Sequence, residues 1–230
     1  MHPSEIALSA LKVHPESMVA KAQPTARDLK VKVNYFQQRL LKHSGKSEFH
    51  SLHELYYAVL LESDPEVIQY TPQPYRFRIG QMRYTPDFEV HRASGVELVE
   101  LKTDRELDDK GQWDTPKARA MDAFCQARGW RFVVVANSWV KQRQALAQRW
   151  LPIVRVLARQ QACATDPQEQ SMLQRLARKP YHVFQDLVDL SDRAWSYLDE
   201  IALFRLAHRG VVSLGLSRQP LHPNSRVCLR

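Results

Sequence analysis

Apolar positions along the chain change period several times, and each change predicts an element. Leu52 to Glu62 carries Leu55, Val59 and Leu60 at helical spacing and stops at Asp64-Pro65, which predicts a helix. A short strand follows around Val67 to Tyr70. Pro72 and Pro74 interrupt it, and Tyr75 to Ile79 resumes the extended pattern up to a turn at Gly80. Val96 to Lys102 alternates as a strand does, so Glu100 and Lys102, two apart, share a face. The Arg92-Ala93-Ser94-Gly95 link before it reads as a hairpin turn that brings Asp87 alongside. Thr115 can cap a helix that has Pro116 at its first position and runs to Arg128, closed by Gly129. Trp130 to Ala136 is a continuous apolar run of central-strand length. Residues 138 to 165 read as helical. Beyond Asp166-Pro167, three short amphipathic helices are predicted over Gln168 to Arg178, Val183 to Leu190 and Asp192 to His208. Val211 to Leu216 and Arg226 to Leu229 then suit a two-stranded wing with Pro220 and Pro223 in its tip. Trp195 and Tyr197 are read as core residues of the last helix.

These elements define an α/β chain of three parts: a basic N-terminal arm over 1–46, a mixed-sheet domain over 47–165, and a small winged-helix-like domain over 166–230. Residues 1 to about 30, with Pro3, Pro15 and Pro24 and little periodicity, read as a mobile or partner-ordered arm. Lys42 to Lys46 around Gly45 reads as a loop. Asp104 to Asp109 reads as a solvated acidic loop.

Charge sharpens the picture. The net charge is +8 with Lys and Arg unevenly placed: residues 1–46 hold eight against three acids, residues 47–166 sixteen against sixteen, and residues 167–230 nine against six. A neutral centre between basic ends suits a polyanionic partner such as DNA, held by the ends and worked on in the middle. The run of apolar residues needed for a membrane span is missing, and the N-terminus lacks a signal-peptide core, so the expectation is a cytoplasmic protein without membrane contact. Cys125, Cys163 and Cys228 show no paired or metal-like spacing and are read as reduced and buried. The nine histidines form no zinc pattern.

The candidate chemistry lies in Asp87 and the Glu100-Leu101-Lys102 triplet. Two carboxylates and an ammonium on neighbouring strands suit a hard divalent cation, Mg²⁺ with Mn²⁺ as a substitute, and metal-assisted phosphodiester hydrolysis. As a bare cross-strand ion pair the same residues would contribute only about 0.2–1 kcal/mol. Pro86, which lacks a donor, belongs at a strand edge or bulge where side chains are re-aimed. Upstream, Glu54 has two readings: a third ligand delivered by the first helix, or the far half of a Ser51-x-x-Glu54 capping box that reaches back to the Ser51 amide. Lys117 and Arg119 can be DNA contacts or plain solvent-exposed helix charges.

The run Ser51-Leu52-His53-Glu54, Leu60-Leu61-Glu62-x-Asp64-Pro65-x-Val67, Gln73-Pro74, Tyr84-Thr85-Pro86-Asp87-Phe88 and Val99-Glu100-Leu101-Lys102 resembles the TnsA transposon-end endonucleases in order and spacing over about 47–136. That resemblance implies a restriction-endonuclease-like fold of the PD-(D/E)xK superfamily, with helices flanking a mixed sheet. It implies Glu54, Asp87 and Glu100 as metal ligands, the Leu101 carbonyl as a further one, and Lys102 as the catalytic lysine. Glu62 is the rival to Glu54. Glu100 stands where some members carry Gln, and Pro72 where the family has an acid. The implied activity is cleavage of the non-transferred strand at transposon ends, beside a TnsB-like DDE transposase and a TnsC-like ATPase regulator that the C-terminal region would contact. Two alternatives remain open: a stand-alone restriction-like or repair nuclease, and a catalytically silent DNA-binding adaptor.

Overall fold

The computed structural model describes residues 11–13, 36–79 and 82–230. Of the basic N-terminal arm, only the described stretches can be compared with expectation, and the turn at Gly80 lies outside the described residues. The described residues form two compact units. The first takes 11–13, 36–38, 42–57, 66–79 and 82–143; the second takes 39–41, 58–65 and 144–230.

The first unit is built on a four-stranded mixed sheet in the order β4-β7-β8-β9, formed by β4 (Val67–Pro72), β7 (Phe88–Arg92), β8 (Gly95–Lys102) and β9 (Arg131–Ala136). The first three strands run antiparallel, with Phe88 opposite Val99 and Arg92 opposite Gly95 across the tight hairpin. Gly95 has φ +131°, a conformation that glycine adopts without steric cost. Strand β9 runs parallel to β8, with Glu100 opposite Val134, and parallel pairing requires a crossover. Helix α2 (Pro116–Gln126) supplies it. It opens as the sequence indicates, the Thr115 hydroxyl accepting the Ala118 N–H at 3.1 Å, and Gly129 follows its end at φ +67°.

Each face of this sheet buries a different aromatic set. Phe88 projects toward helix α1 (Leu52–Ser63), where its ring meets Tyr57 at 5.2 Å, with Phe49 and Tyr70 beside it. The opposite face, carrying Leu98, packs on Met121 and Phe124 of α2 and on Tyr75, Phe77 and Tyr84. Phe77 and Tyr84 come from β5 (Phe77–Ile79) and β6 (Met82–Tyr84), which form a second, three-stranded sheet with β1 (Leu11–Val13). Residues 11–13, inside the stretch read as a mobile or partner-ordered arm, thus form a strand; three residues are too few for their alternation to stand out in the sequence. A further hairpin joins β2 (Phe36–Arg39) to β3 (Lys46–Phe49), turning near Gly45 at φ +124°. The mixed α/β architecture agrees with the sequence reading.

Helix α3 (Asn137–Arg159) runs from residues of the first unit into those of the second. In the second unit, Asp166 and Pro167 open helix α4 (Asp166–Leu176), which packs against α6 (Arg193–His208). The helix expected over Val183 to Leu190 is a single turn, α5 (Phe184–Leu187). Its upstream neighbours His182 and Val183 form β10, which pairs with β12 (Arg226–Leu229), a long-range pairing that local periodicity does not reveal. The expected pairing of 211–216 with 226–229 is present but short: β11 (Val212–Ser213) lies on the other side of β12. Trp195 and Tyr197 are corrections to the expected core. Trp195 is 87% exposed and Tyr197 37%, because the buried stripe of α6 runs through Ser196, Glu200, Ile201, Phe204 and Ala207. All three cysteines are free thiols, but only Cys125 is fully buried. Burial pushes its thiol up to about 12, which makes it inert at neutral pH. No helix among the described residues is long and apolar enough to cross a membrane.

Candidate active site

The β7–β8 hairpin brings Asp87 and Glu100 together at one end of the sheet. Asp87 immediately precedes β7, and its Oδ2 accepts the Leu101 N–H at 2.7 Å, which fixes it against β8. Glu100 points to the Leu98 face and is buried. Its Oε2 accepts the Tyr84 hydroxyl at 2.6 Å, and its Oε1 lies 2.7 Å from Lys102 Nζ. The Tyr84 phenol is held far above its usual ionisation range by burial and by Glu100, so it acts here as a permanent donor.

The electrostatics single out Asp87 among the acids of the hairpin. Glu97 is paired with Arg92 at 3.1 Å and with Arg131, and Glu89 lies 2.9 Å from His91 Nε2. Among the described residues Asp87 has no comparable close counter-charge: burial, then the Glu100 carboxylate, then the Glu54 carboxylate hold it well above the ordinary carboxylate range. The Leu101 N–H and the Lys102 ammonium offset this only in part.

Glu54 answers to both of its sequence readings. It is near enough to oppose the charge on Asp87, and it also closes the start of α1. The Ser51 hydroxyl accepts the Glu54 N–H at 3.1 Å and donates to Glu54 Oε1 at 3.0 Å. Its Oε2 accepts the His50 N–H at 2.9 Å, one residue upstream of the amide that the capping-box pattern names. The rival, Glu62, belongs to the second unit. It is fully buried there, with Oε1 accepting the Leu41 N–H at 3.0 Å and Oε2 lying 2.7 Å from His208 Nε2. Leu101 contributes its N–H to the site, donated to Asp87.

Among the described residues, no three His, Cys, Asp or Glu side chains converge as a ready ligand set. The donor chemistry nevertheless fits a hard divalent cation: Asp87 and Glu100 offer carboxylate oxygens whose mutual repulsion such an ion would relieve.

Two aromatic residues that sequence reasoning passed over complete the site. Tyr84 orients Glu100. Trp113, buried at the end of the acidic loop, carries the Lys102 ammonium 4.3 Å from its ring centroid. Lys117 is not a plain solvent charge: its ammonium lies 4.8 Å from the Tyr84 ring and 5.2 Å from the Trp113 ring. Arg119 is exposed and pairs with Asp114. The place of Tyr84 in the Tyr84-Thr85-Pro86-Asp87-Phe88 run was the one available signal for it; nothing local to Trp113 marks that residue.

An acidic pair, Glu100 buried and Asp87 half-buried, with an adjacent lysine thus lies at one end of a mixed sheet that packs on α1 and α2. Residues 62–137, about a third of the chain, match the family model described as TnsA-like endonuclease N terminal, so this stretch is similar to the TnsA-like endonucleases. It contains Asp87, Glu100, Leu101 and Lys102, together with Tyr84, Trp113 and Lys117, and leaves Glu54 outside. No curated protein matches the chain.

Proposed function

We propose that this protein is a metal-dependent DNA endonuclease that cuts the non-transferred strand at transposon ends. The observation that carries the reading is the Asp87–Glu100 carboxylate pair with Lys102 on Glu100, inside the TnsA-like stretch. Asp87 and Glu100 would hold Mg²⁺ or Mn²⁺, with Glu54 and the Leu101 carbonyl as further ligands. When bound, the ion supplies polarisation of the scissile phosphate and a lowered pKa for a coordinated water.

The chain's own groups do the remaining work. Lys102, braced between Glu100 and the Trp113 ring, would orient the attacking water and neutralise charge developing on the phosphate oxygens. Tyr84 and the Leu101 N–H hold the two carboxylates in place, so little reorganisation is needed during the reaction.

The Tn7-type resemblance supports action beside a TnsB-like DDE transposase, which would cut and join the other strand, and under a TnsC-like ATPase regulator. Residues 166–230, with α4, α6 and the β11–β12 pair, are read as a winged-helix-like module that touches DNA or that regulator.

The test is strand-resolved cleavage of transposon-end DNA with Mg²⁺ by wild type and Asp87→Ala, with and without the partner transposase. Single-strand nicking that needs the partner and vanishes in Asp87→Ala is the expected result. Cutting without the partner would replace it with a stand-alone nuclease, and no metal-dependent cutting with a DNA-binding adaptor.

A further inference from the structure

We infer that Lys117 is a phosphate-binding residue of this site, gripping the DNA backbone beside the phosphate that Lys102 serves; the inference rests on the nuclease reading above. Lys117 sits in the first turn of α2, a turn with no acidic residue, where the helix dipole disfavours a cation. Its ammonium is nonetheless turned onto the rings of Tyr84 and Trp113. Trp113 already carries Lys102, so a single indole has two like charges against it.

Among the described residues, Lys117 has no ion-pair partner. Asp114, three residues before it, pairs with Arg119, and the acids paired with the other cation on the Trp113 ring, Glu100 and Glu106, lie 2.7 and 3.7 Å from Lys102. Two neighbouring ammonium groups on one aromatic shelf, with one left unneutralised, match a polyanion whose charges repeat along a strand. A lone carboxylate or a metal ion would not use the second ammonium. The other ring under Lys117 is Tyr84, whose hydroxyl is bonded to Glu100, so the binding position lies one side chain from the cutting position.

The experiment uses the full chain and a short labelled DNA duplex in Ca²⁺, with affinity measured across a salt series for wild type, Lys117→Gln and Lys117→Arg. Losing one phosphate contact flattens the slope of log affinity against log salt by about 0.9, and Lys117→Arg restores it. In cutting assays with the partner transposase, Lys117→Gln raises KM with kcat little changed, whereas Lys102→Ala loses kcat. A wild-type salt slope and KM in a Lys117→Gln protein that melts like wild type would overturn the assignment while leaving the nuclease reading intact. Absence of metal-dependent cutting in wild type would overturn the nuclease reading, with the salt slope still judging Lys117.

Discussion

Because burial and the Glu100 and Glu54 carboxylates hold Asp87 above the ordinary carboxylate range, ionising it costs folding free energy. Between the ordinary value and the raised one, the folded chain binds more protons than the unfolded chain. Stability of the metal-free protein therefore falls as pH rises through that window, and stays lower above it. Asp87→Asn removes the repelled charge and keeps an oxygen for the Leu101 N–H. We expect it to abolish cutting yet stabilise the metal-free chain by about 1 kcal/mol, roughly 2–4 °C in Tm for a chain of this size. Calorimetry across pH in a chelator checks this, and added divalent cation should raise Tm in wild type only. Tyr84→Phe tests the opposite balance. It leaves the buried Glu100 Oε2 without its hydroxyl donor, a loss of about 1–3 kcal/mol. Urea unfolding should show that loss, and steady-state kinetics a kcat reduced more than KM.

Helix α1 carries a candidate acid near each end, and its local sequence does not decide between them. The fold separates them: Glu62 is consumed by the Leu41 amide and His208, while Glu54 stands near Asp87. Glu62→Ala, which empties a fully buried position and strips the half-buried His208 imidazole and the Leu41 amide of their acceptor, should cost about 3 kcal/mol. Its cutting rate per folded molecule should stay near wild type, whereas Glu54→Gln should lower it; urea titration paired with active-site-normalised cleavage separates the two effects. What was legible in the sequence was local. The Arg92–Gly95 turn, the Thr115 cap with Pro116, and the two-residue spacing of Glu100 and Lys102 all act within a few positions of themselves. What was not legible depends on chain returning from a distance. Val183 left its expected helix because Arg226 pairs with it, and Trp113 became the shelf for Lys102 through the path of the loop after β8.

Across the whole chain, the neutral stretch 47–166 holds the candidate cutting residues and the excess positive charge lies to either side. The second unit adds to that an indole in solvent: Trp195, 87% exposed on α6, of a residue type that dominates binding hot spots. Trp195→Ala should change stability by no more than about 0.5 kcal/mol. Thermal melts check that, so any transposition defect in the variant would report lost partner contact and not misfolding. The start of α1 carries a different implication. Glu54 has both oxygens engaged, by the His50 amide and the Ser51 hydroxyl, and its charge is near enough to oppose that of Asp87. Turning that carboxylate toward Asp87 would loosen the first turn of its own helix. Deuterium uptake at the His50 and Glu54 amides then becomes a clock for site assembly, slow in the resting chain and faster once the carboxylate takes up its second task.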